Sequence, residues 1–185
     1  MIFTEQYIKG VWVIEPQRFG DKRGYFSEVF KREEFEQHIG HVDFVQDNES
    51  FSSRGVLRGL HFQRGEHSQA KLVRVSLGTV LDVVVDLRHG SATWGRHIAV
   101  ELSADTGRQM FVPRGFAHGF VVLSDVAQFQ YKVDNLYAPQ NEATLRFDDP
   151  TLAIDWRIER SSMTLSEKDL KGLPLSELDT DFLGF

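Results

Sequence analysis

The 185-residue chain contains no cysteine. This absence excludes structural disulfides, thiolate metal sites and cysteine nucleophiles together. The chain also lacks any run of about 18 uncharged apolar residues, so we predict no membrane-spanning helix. The first ten residues include Glu5 and Lys9, charges that the apolar core of a secretory signal would not contain. We therefore expect a cytoplasmic protein.

Glycine and proline together make up 20 of the 185 residues, with 15 and 5 respectively, too few for a collagen-like or low-complexity disordered chain. Hydrophobic residues make up 41% of a chain long enough to bury a core, so we predict one globular domain over residues 1–185. The net charge of -6 disfavours nucleic acid or a membrane surface as a partner, because either needs a large basic face. A small anionic ligand remains open, since a few local arginines could bind it.

Short β-rich runs separated by glycine and charged residues dominate the chain. One short helix is predicted over Lys31–Gly40, where Phe35 and Ile39 lie four residues apart and Gly40 stands at the C-cap position. Ser166, followed three residues later by Asp169, could begin a second helix. The predicted strands are Val11–Ile14, Tyr25–Phe30, Val56–Phe62, Lys71–Leu77, Val80–Leu87, His97–Leu102, Gln109–Val112, Gly119–Leu123 and Ala127–Val133. Many closely spaced strands with few helices indicate a closed or sandwiched all-β architecture.

Alternation along two of these strands points polar groups inward. In the strand from Lys71, the lysine shares a face with Val73 and Val75, which is the more apolar face. In Ala127–Val133, Tyr131 shares a face with Phe129 by the same alternation. Either residue alone is explained by a structural role, a strand-end lysine reaching solvent or a core tyrosine with a bonded hydroxyl.

A glycine, proline and histidine motif identifies the type of barrel. Gly107, Pro113, Gly115 and His118 form Gly-x5-Pro-x-Gly-x2-His, which resembles the second signature of the cupin superfamily. Val122 replaces the asparagine that ends that signature. The resemblance implies a cupin-type β-barrel, or jelly roll, with a few short helices.

The first cupin signature is present in altered form. Its opening matches Gly55-x5-His61, but Gln63 stands where the second metal-binding histidine belongs and Lys71 where the glutamate belongs. A divalent metal does not tolerate an ammonium in place of a carboxylate ligand, so we expect no metal. The one remaining option is a carboxylate-free site built from His61, His67 and His118.

Several ordered blocks are together similar to the dTDP-4-dehydrorhamnose 3,5-epimerase family. The resemblance runs from about Phe19 to the Ser166–Asp169 segment, and the segment Arg64–His67 departs from it, where the family has a proline-containing turn. The matching blocks are Arg58–Gln63, Gln69–Arg74, Asp82–Gly95, Val112–Gly119 and Tyr131–Lys132. The resemblance implies an isomerase that converts dTDP-4-dehydro-6-deoxy-D-glucose to dTDP-4-dehydro-L-rhamnose without metal or cofactor. It also implies a homodimer in which N-terminal residues contribute to the neighbouring subunit's site.

Epimerisation beside a ketone needs a base, a stabiliser for the enolate and an acid on the opposite face. By resemblance, His61 is the base, Asp169 orients its imidazole, Lys71 stabilises the oxyanion and Tyr131 returns the proton. Histidine suits the first role because an imidazole is largely neutral near pH 7. Taken alone, His61 reads as a core histidine and Asp169 as a helix-capping residue that pairs with Ser166.

The resemblance also assigns residues that bind the nucleotide sugar. Arg23, Arg58 and Lys168 face the diphosphate or the sugar; Phe26, Glu28, Gln46 and Asn48 hold the nucleotide end; His118 and Glu142 complete the pocket; and Tyr137 stacks on the thymine. Guanidinium groups match phosphate oxygens well. Taken alone, Arg23 reads as a hairpin residue and Glu28 as part of a solvated strand face.

Other functions remain open from the sequence. The chain could be a mono-epimerase that acts on C3 or C5 only of a related deoxysugar nucleotide, a non-catalytic cupin that binds a sugar nucleotide, or a metal-dependent cupin oxygenase. Strict alternation also puts Arg58 and His61 on opposite faces of one strand, although both should meet one ligand. We therefore predict a bulge or bend at Gly59 that brings them together.

Overall fold

The computed structural model describes residues 1–178. The strands are β1 (Ile2–Glu5), β2 (Trp12–Glu15), β3 (Arg18–Asp21), β4 (Gly24–Ser27), β5 (Gln46–Ser53), β6 (Leu57–Gln63), β7 (Lys71–Leu77), β8 (Thr79–Asp86), β9 (His97–Ser103), β10 (Gln109–Val112), β11 (Phe116–Val122), β12 (Val126–Val133) and β13 (Glu142–Thr144). The helices are α1 (Arg32–His38) and α2 (Glu167–Leu170), with 3-10 turns at Gly65–His67, Pro139–Asn141, Arg160–Ser162 and Leu175–Glu177. No helix within residues 1–178 has the length and apolar character needed to cross a membrane.

Two antiparallel sheets build the barrel. One has the order β1-β2-β10-β7-β12-β5 and the other β13-β6-β11-β8-β9, while β3 and β4 form a separate hairpin. Their inner faces share one core, in which Val73 and Phe129 of the first sheet pack with Val84 and Phe120 of the second. The rings of Phe120 and Phe129 stack with centroids 4.1 Å apart, joining the two sheets. This is the all-β, cupin-type barrel that the sequence predicts.

Strand β8 is buried on both faces, which explains its continuous apolar run. Val80 and Val84 face the shared core. Leu81 and Val83, which alternate with them, pack on the other side against the C-terminal segment. That segment reaches the sheet edge through backbone hydrogen bonds, including Leu57 N–H to Thr164 O at 3.0 Å. The C-terminal segment thereby places α2 against β6.

The predicted strands are confirmed with shifts of a few residues at their ends, except for Tyr25–Phe30. The observed strand β4 ends at Ser27, so Glu28 lies outside it. The predicted helix Lys31–Gly40 is observed as Arg32–His38, and the Ser166 helix start is confirmed by a capping box with Asp169. Strands β1, β3, β5 and β13 were not predicted.

The missed strand β5 has the sequence QDNESFSS, which lacks β-branched residues. It forms because β12 pairs with it along its whole length, from Gln46 opposite Val133 to Ser53 opposite Val126. Its burial alternates strictly, with Asp47 and Glu49 exposed and Asn48 and Ser50 half-buried. The inward face is polar because it lines a cavity rather than the core.

The bulge predicted at Gly59 is confirmed. Strand β11 places His118 opposite His61 and Phe120 opposite Arg58, so β6 carries one extra residue between these pairs. Gly59 has φ +139°, and a Cβ there would lie 2.5 Å from the Cα of Gly119. Only glycine allows this close approach. The extra residue turns Arg58 and His61 toward the same cavity.

Candidate active site

A cavity of about 440 Å³ lies between the two sheets. The five-stranded sheet contributes His61 and His118 to its wall, and the six-stranded sheet contributes Lys71 and Tyr131. The remaining predicted site residues in this wall are Gln46, Asn48, Arg58, Tyr137, Glu142 and Lys168. The cavity therefore has ionisable groups on two opposite sides.

His61 is paired with a buried carboxylate. Its Nε2 lies 2.6 Å from Asp169 Oδ1, which also accepts the backbone N–H of Gly59 at 3.2 Å. Ser166 donates to Oδ2 from its hydroxyl at 2.6 Å, so Asp169 caps α2 and contacts His61 at once. Burial raises the pKa of Asp169, but the hydrogen bonds from His61, Ser166 and Gly59 outweigh it and bring the pKa to about 2. Asp169 is therefore a carboxylate at neutral pH.

A carboxylate partner determines which imidazole nitrogen carries the proton. Asp169 can only accept, so Nε2 of His61 holds the hydrogen and Nδ1 keeps its lone pair. Asp169 also stabilises the imidazolium that forms when Nδ1 takes up a proton. His61 is thus arranged as a general base.

Lys71 lies half-buried on the opposite wall. Within residues 1–178, no group hydrogen-bonds to its ammonium. Burial lowers the pKa of Lys71 to about 8, while the carboxylates of Asp82 and Glu142 oppose that effect. The ammonium predominates at neutral pH and can donate to a ligand oxygen.

Tyr131 lies on the same wall as Lys71. It pairs with Val73 on β7, two residues from Lys71, so both side chains point to one face. Burial raises the pKa of Tyr131, which keeps the phenol protonated at neutral pH. No residue in the described range 1–178 forms a hydrogen bond with its hydroxyl. Tyr131 is therefore a proton donor without a protein acceptor.

The cavity rim carries a charged cluster. Glu142 accepts a hydrogen bond from the Tyr137 hydroxyl at 2.7 Å and forms an ion pair with Lys168. Burial raises the pKa of Glu142, but its bonds to Lys168 and Tyr137 lower it further than burial raises it. Arg58 donates to Ser52 Oγ at 3.1 Å. Two cations therefore lie beside the pocket that also contains His61.

Comparison with known proteins identifies the family. The family model described as dTDP-4-dehydrorhamnose 3,5-epimerase matches residues 5–177. The dTDP-4-dehydrorhamnose 3,5-epimerase of Escherichia coli is 51% identical over 172 residues, which cover 92% of each chain. The chain belongs to the dTDP-4-dehydrorhamnose 3,5-epimerase family.

Two further members agree with this assignment. The epimerase of Pseudomonas aeruginosa is 50% identical over 95% of this chain and 97% of its own. A crystal structure of the Legionella pneumophila dTDP-6-deoxy-D-glucose-3,5-epimerase, in complex with dTDP-4-keto-L-rhamnose, is 44% identical. It superposes with a TM-score of 0.94 and covers 98% of this chain and 96% of that one.

Three of the ligand-binding residues that the epimerase resemblance assigned lie outside this chain's own cavity. Arg23, Phe26 and Glu28 are exposed, on or just after the β3–β4 hairpin. Arg23 pairs with Asp21 of the same hairpin. None of the three lines the cavity that contains His61, so a single chain does not bring these side chains to it.

The structure adds two polar wall residues that were not predicted in the epimerase site. Ser50 follows Gln46 and Asn48 on the inward face of β5, and strand alternation would have found it had β5 been recognised. Gln69 precedes Lys71 and hydrogen-bonds to Asn135 O at 2.7 Å. The only sequence signal for Gln69 was its position in the block Gln69–Arg74, which matches the epimerase family.

Gln63 takes a structural position where other cupins have a metal ligand. It is buried, donates to the backbone oxygens of His67 and Leu136, and accepts the Ala138 N–H at 2.6 Å. These hydrogen bonds hold two loops together, the 64–67 segment that diverges from the family and the loop that contains Tyr137. Among residues 1–178, no three histidine or acidic side chains form a metal-binding group, including the His61, His67 and His118 set.

Proposed function

We propose that this chain converts dTDP-4-dehydro-6-deoxy-D-glucose to dTDP-4-dehydro-L-rhamnose by inverting C3 and C5. The observation that carries the proposal is the opposition of His61, on one wall, to Tyr131 and Lys71 on the other. Inversion needs proton removal from one face of a carbon and delivery to the other. The names of the relatives and the ligand of the Legionella structure support the same substrate class.

Each inversion proceeds through an enolate. His61 Nδ1 removes the proton from the carbon beside the C4 ketone. The electrons of that C–H bond form a double bond to C4, and the π electrons of the C4 carbonyl move onto O4. The Lys71 ammonium donates a hydrogen bond to the developing oxyanion. Tyr131 then delivers its phenolic proton to the opposite face of that carbon, and the C4 carbonyl re-forms. The imidazolium of His61 loses its extra proton to solvent, and the tyrosinate takes a proton from solvent, so both groups return to their starting forms. C3 and C5 both flank the ketone, so one set of groups serves both carbons.

The rim groups supply nucleotide binding. Besides Lys71, Arg58 and Lys168 are cations of the cavity wall that can bind a diphosphate. Tyr137, which is 56% exposed, offers its ring for stacking on the thymine. Gln46 and Asn48 share a 2.6 Å hydrogen bond on the inward face of β5 and offer amide groups to the nucleotide end. A bound diphosphate competes with Glu142 for Lys168.

Isotope exchange tests this function. Incubation of the purified protein with the 4-keto sugar nucleotide in deuterated water should give product with deuterium at both C3 and C5, observed by NMR. Label at a single carbon would establish a mono-epimerase instead. Ligand binding without exchange would identify a non-catalytic cupin, and loss of activity on chelation, with restoration by metal, would favour a metal-dependent enzyme.

We also propose a homodimer in which Arg23, Phe26 and Glu28 enter the neighbouring subunit's site. The β3–β4 hairpin supports this, because Phe19, Tyr25 and Phe26 on it are each more than half exposed, at 54%, 61% and 66%. Light scattering on a sizing column should give twice the chain mass. Mixing inactive His61→Asn and Arg23→Ala chains should then restore activity through mixed dimers, whereas a monomeric mass contradicts the proposal. The cytoplasmic location stays a prediction that cell fractionation tests.

A further inference from the structure

A second histidine and aspartate pair lies beside the first. Asp82, in the middle of β8, is 0% exposed. Both of its carboxylate oxygens accept from His118 Nε2, at 3.0 and 2.9 Å. Its neighbours on the same face of β8 are Val80 and Val84 of the apolar core. A carboxylate therefore lies among valines, where an unpaired charge is costly.

The side chain of Asp82 does not stabilise a turn or a strand end. Within residues 1–178, His118 is its only hydrogen-bond donor. Asp86, four residues along the same strand and equally buried, differs sharply. It accepts from Arg88, Ser91 and Thr93, and it therefore closes the turn after β8. Asp86 has a local structural role that Asp82 lacks.

Asp82 interacts with two groups in the cavity wall, His118 directly and Lys71 through its charge. Burial raises the pKa of Asp82 above its ordinary value, and the interactions of Asp82 with His118 and Lys71 oppose that rise without cancelling it. Burial lowers the pKa of Lys71, and Asp82 is the foremost group opposing that effect. Glu142 of β13 also favours the Lys71 ammonium, whereas Lys168 of α2 disfavours it. The charged form of Asp82 and the ammonium of Lys71 therefore stabilise each other against the effect of burial.

We propose that Asp82 is a positioning residue of the reaction, the buried counter-charge that keeps Lys71 an ammonium and holds His118 with Nδ1 available to the ligand. This inference rests on the proposed function, in which Lys71 stabilises the enolate oxygen. Without the ammonium, that oxygen loses its donor. The carboxylate acts through Lys71 and His118 and does not touch the substrate.

The test compares Asp82→Asn with Asp86→Asn, two neutralisations of fully buried carboxylates on one strand. The active form contains the ammonium, so activity falls as pH rises through the pKa of Lys71, about 8. Removing the Asp82 charge lowers that pKa, so the alkaline limb of kcat/KM, which reports ionisation of the free enzyme, should move to lower pH. A fall of one unit removes roughly nine-tenths of the ammonium above both values, so kcat/KM should drop about tenfold there and much less near pH 6. Asp86→Asn should lower the melting temperature without moving the limb.

A second measurement needs no turnover. Carbon NMR of Cε-labelled lysine in the ligand-free protein, with Lys71 assigned from a Lys71→Arg spectrum, follows its titration directly. Lys71 should titrate at lower pH in Asp82→Asn than in the parent and in Asp86→Asn. Where Asp82→Asn does not fold, Asp82→Ser replaces it.

A folded neutral variant with the parent's Lys71 titration overturns the inference, as does an unmoved alkaline limb. Failure of the proposed function itself gives a different pattern. In that case the parent protein shows no exchange in deuterated water, while the NMR titration still reports whether Asp82 and Lys71 are coupled. The two failures are therefore distinguishable.

Discussion

His61→Asn is expected to abolish solvent exchange at both C3 and C5. The asparagine amide preserves a hydrogen bond to Asp169 but has no basic nitrogen, so the substrate proton has no acceptor. The loss should exceed about 10²-fold, the lower end for removal of a general base. The measurement is deuterium content at each carbon in recovered sugar nucleotide, together with product yield.

His67→Asn is the matched control, because His67 lies on the 3-10 turn after β6 and outside the cavity wall. It should leave exchange near the parent rate. Near-normal exchange in His61→Asn would contradict the assignment and transfer the base role to His118, the other histidine of the wall. Direct binding of dTDP to both variants verifies that the pocket is intact.

Tyr131→Phe is expected to separate exchange from inversion. His61 can still remove a proton and, after the imidazolium exchanges with solvent, return deuterium to the same face. Recovered substrate should therefore contain deuterium with unchanged configuration, while epimerised product falls by about 10²-fold or more. Mass and configuration of recovered substrate and product are measured by NMR on one preparation.

Tyr137→Phe is the control, since it also loses one phenolic hydroxyl but at the rim, where that group bonds Glu142. It should weaken substrate binding and keep exchange and inversion coupled. A purely structural role for Tyr131 has a different signature, a lower melting temperature with exchange and inversion reduced in parallel. A Phe variant that inverts both centres at the parent rate excludes Tyr131 as the acid.

Strand alternation predicted that Lys71 and Tyr131 point inward, and both lie in the cavity wall. The prediction succeeded because side-chain direction in a regular strand depends only on residue parity. The strand β5 was missed for the opposite reason. Its polar residues resemble a loop, and β12 alone gives it a strand conformation. The inward face of β5 is polar because it faces a ligand cavity, a feature visible only after assembly.

The sequence by itself determined the barrel type and the family, because ordered motifs carry both. The family resemblance then assigned most of the residues of the cavity wall, and strand periodicity independently pointed Lys71 and Tyr131 inward. The tertiary structure decided the contacts that these residues make. Asp169 reaches His61 from 108 residues away. The sequence alone favoured a helix cap for Asp169 and the resemblance favoured a partner of His61, and Asp169 does both. Asp82 meets His118 only because β8 and β11 are neighbours. Such pairings depend on which strands adjoin and on how deeply charges are buried, and both arise from packing of distant segments.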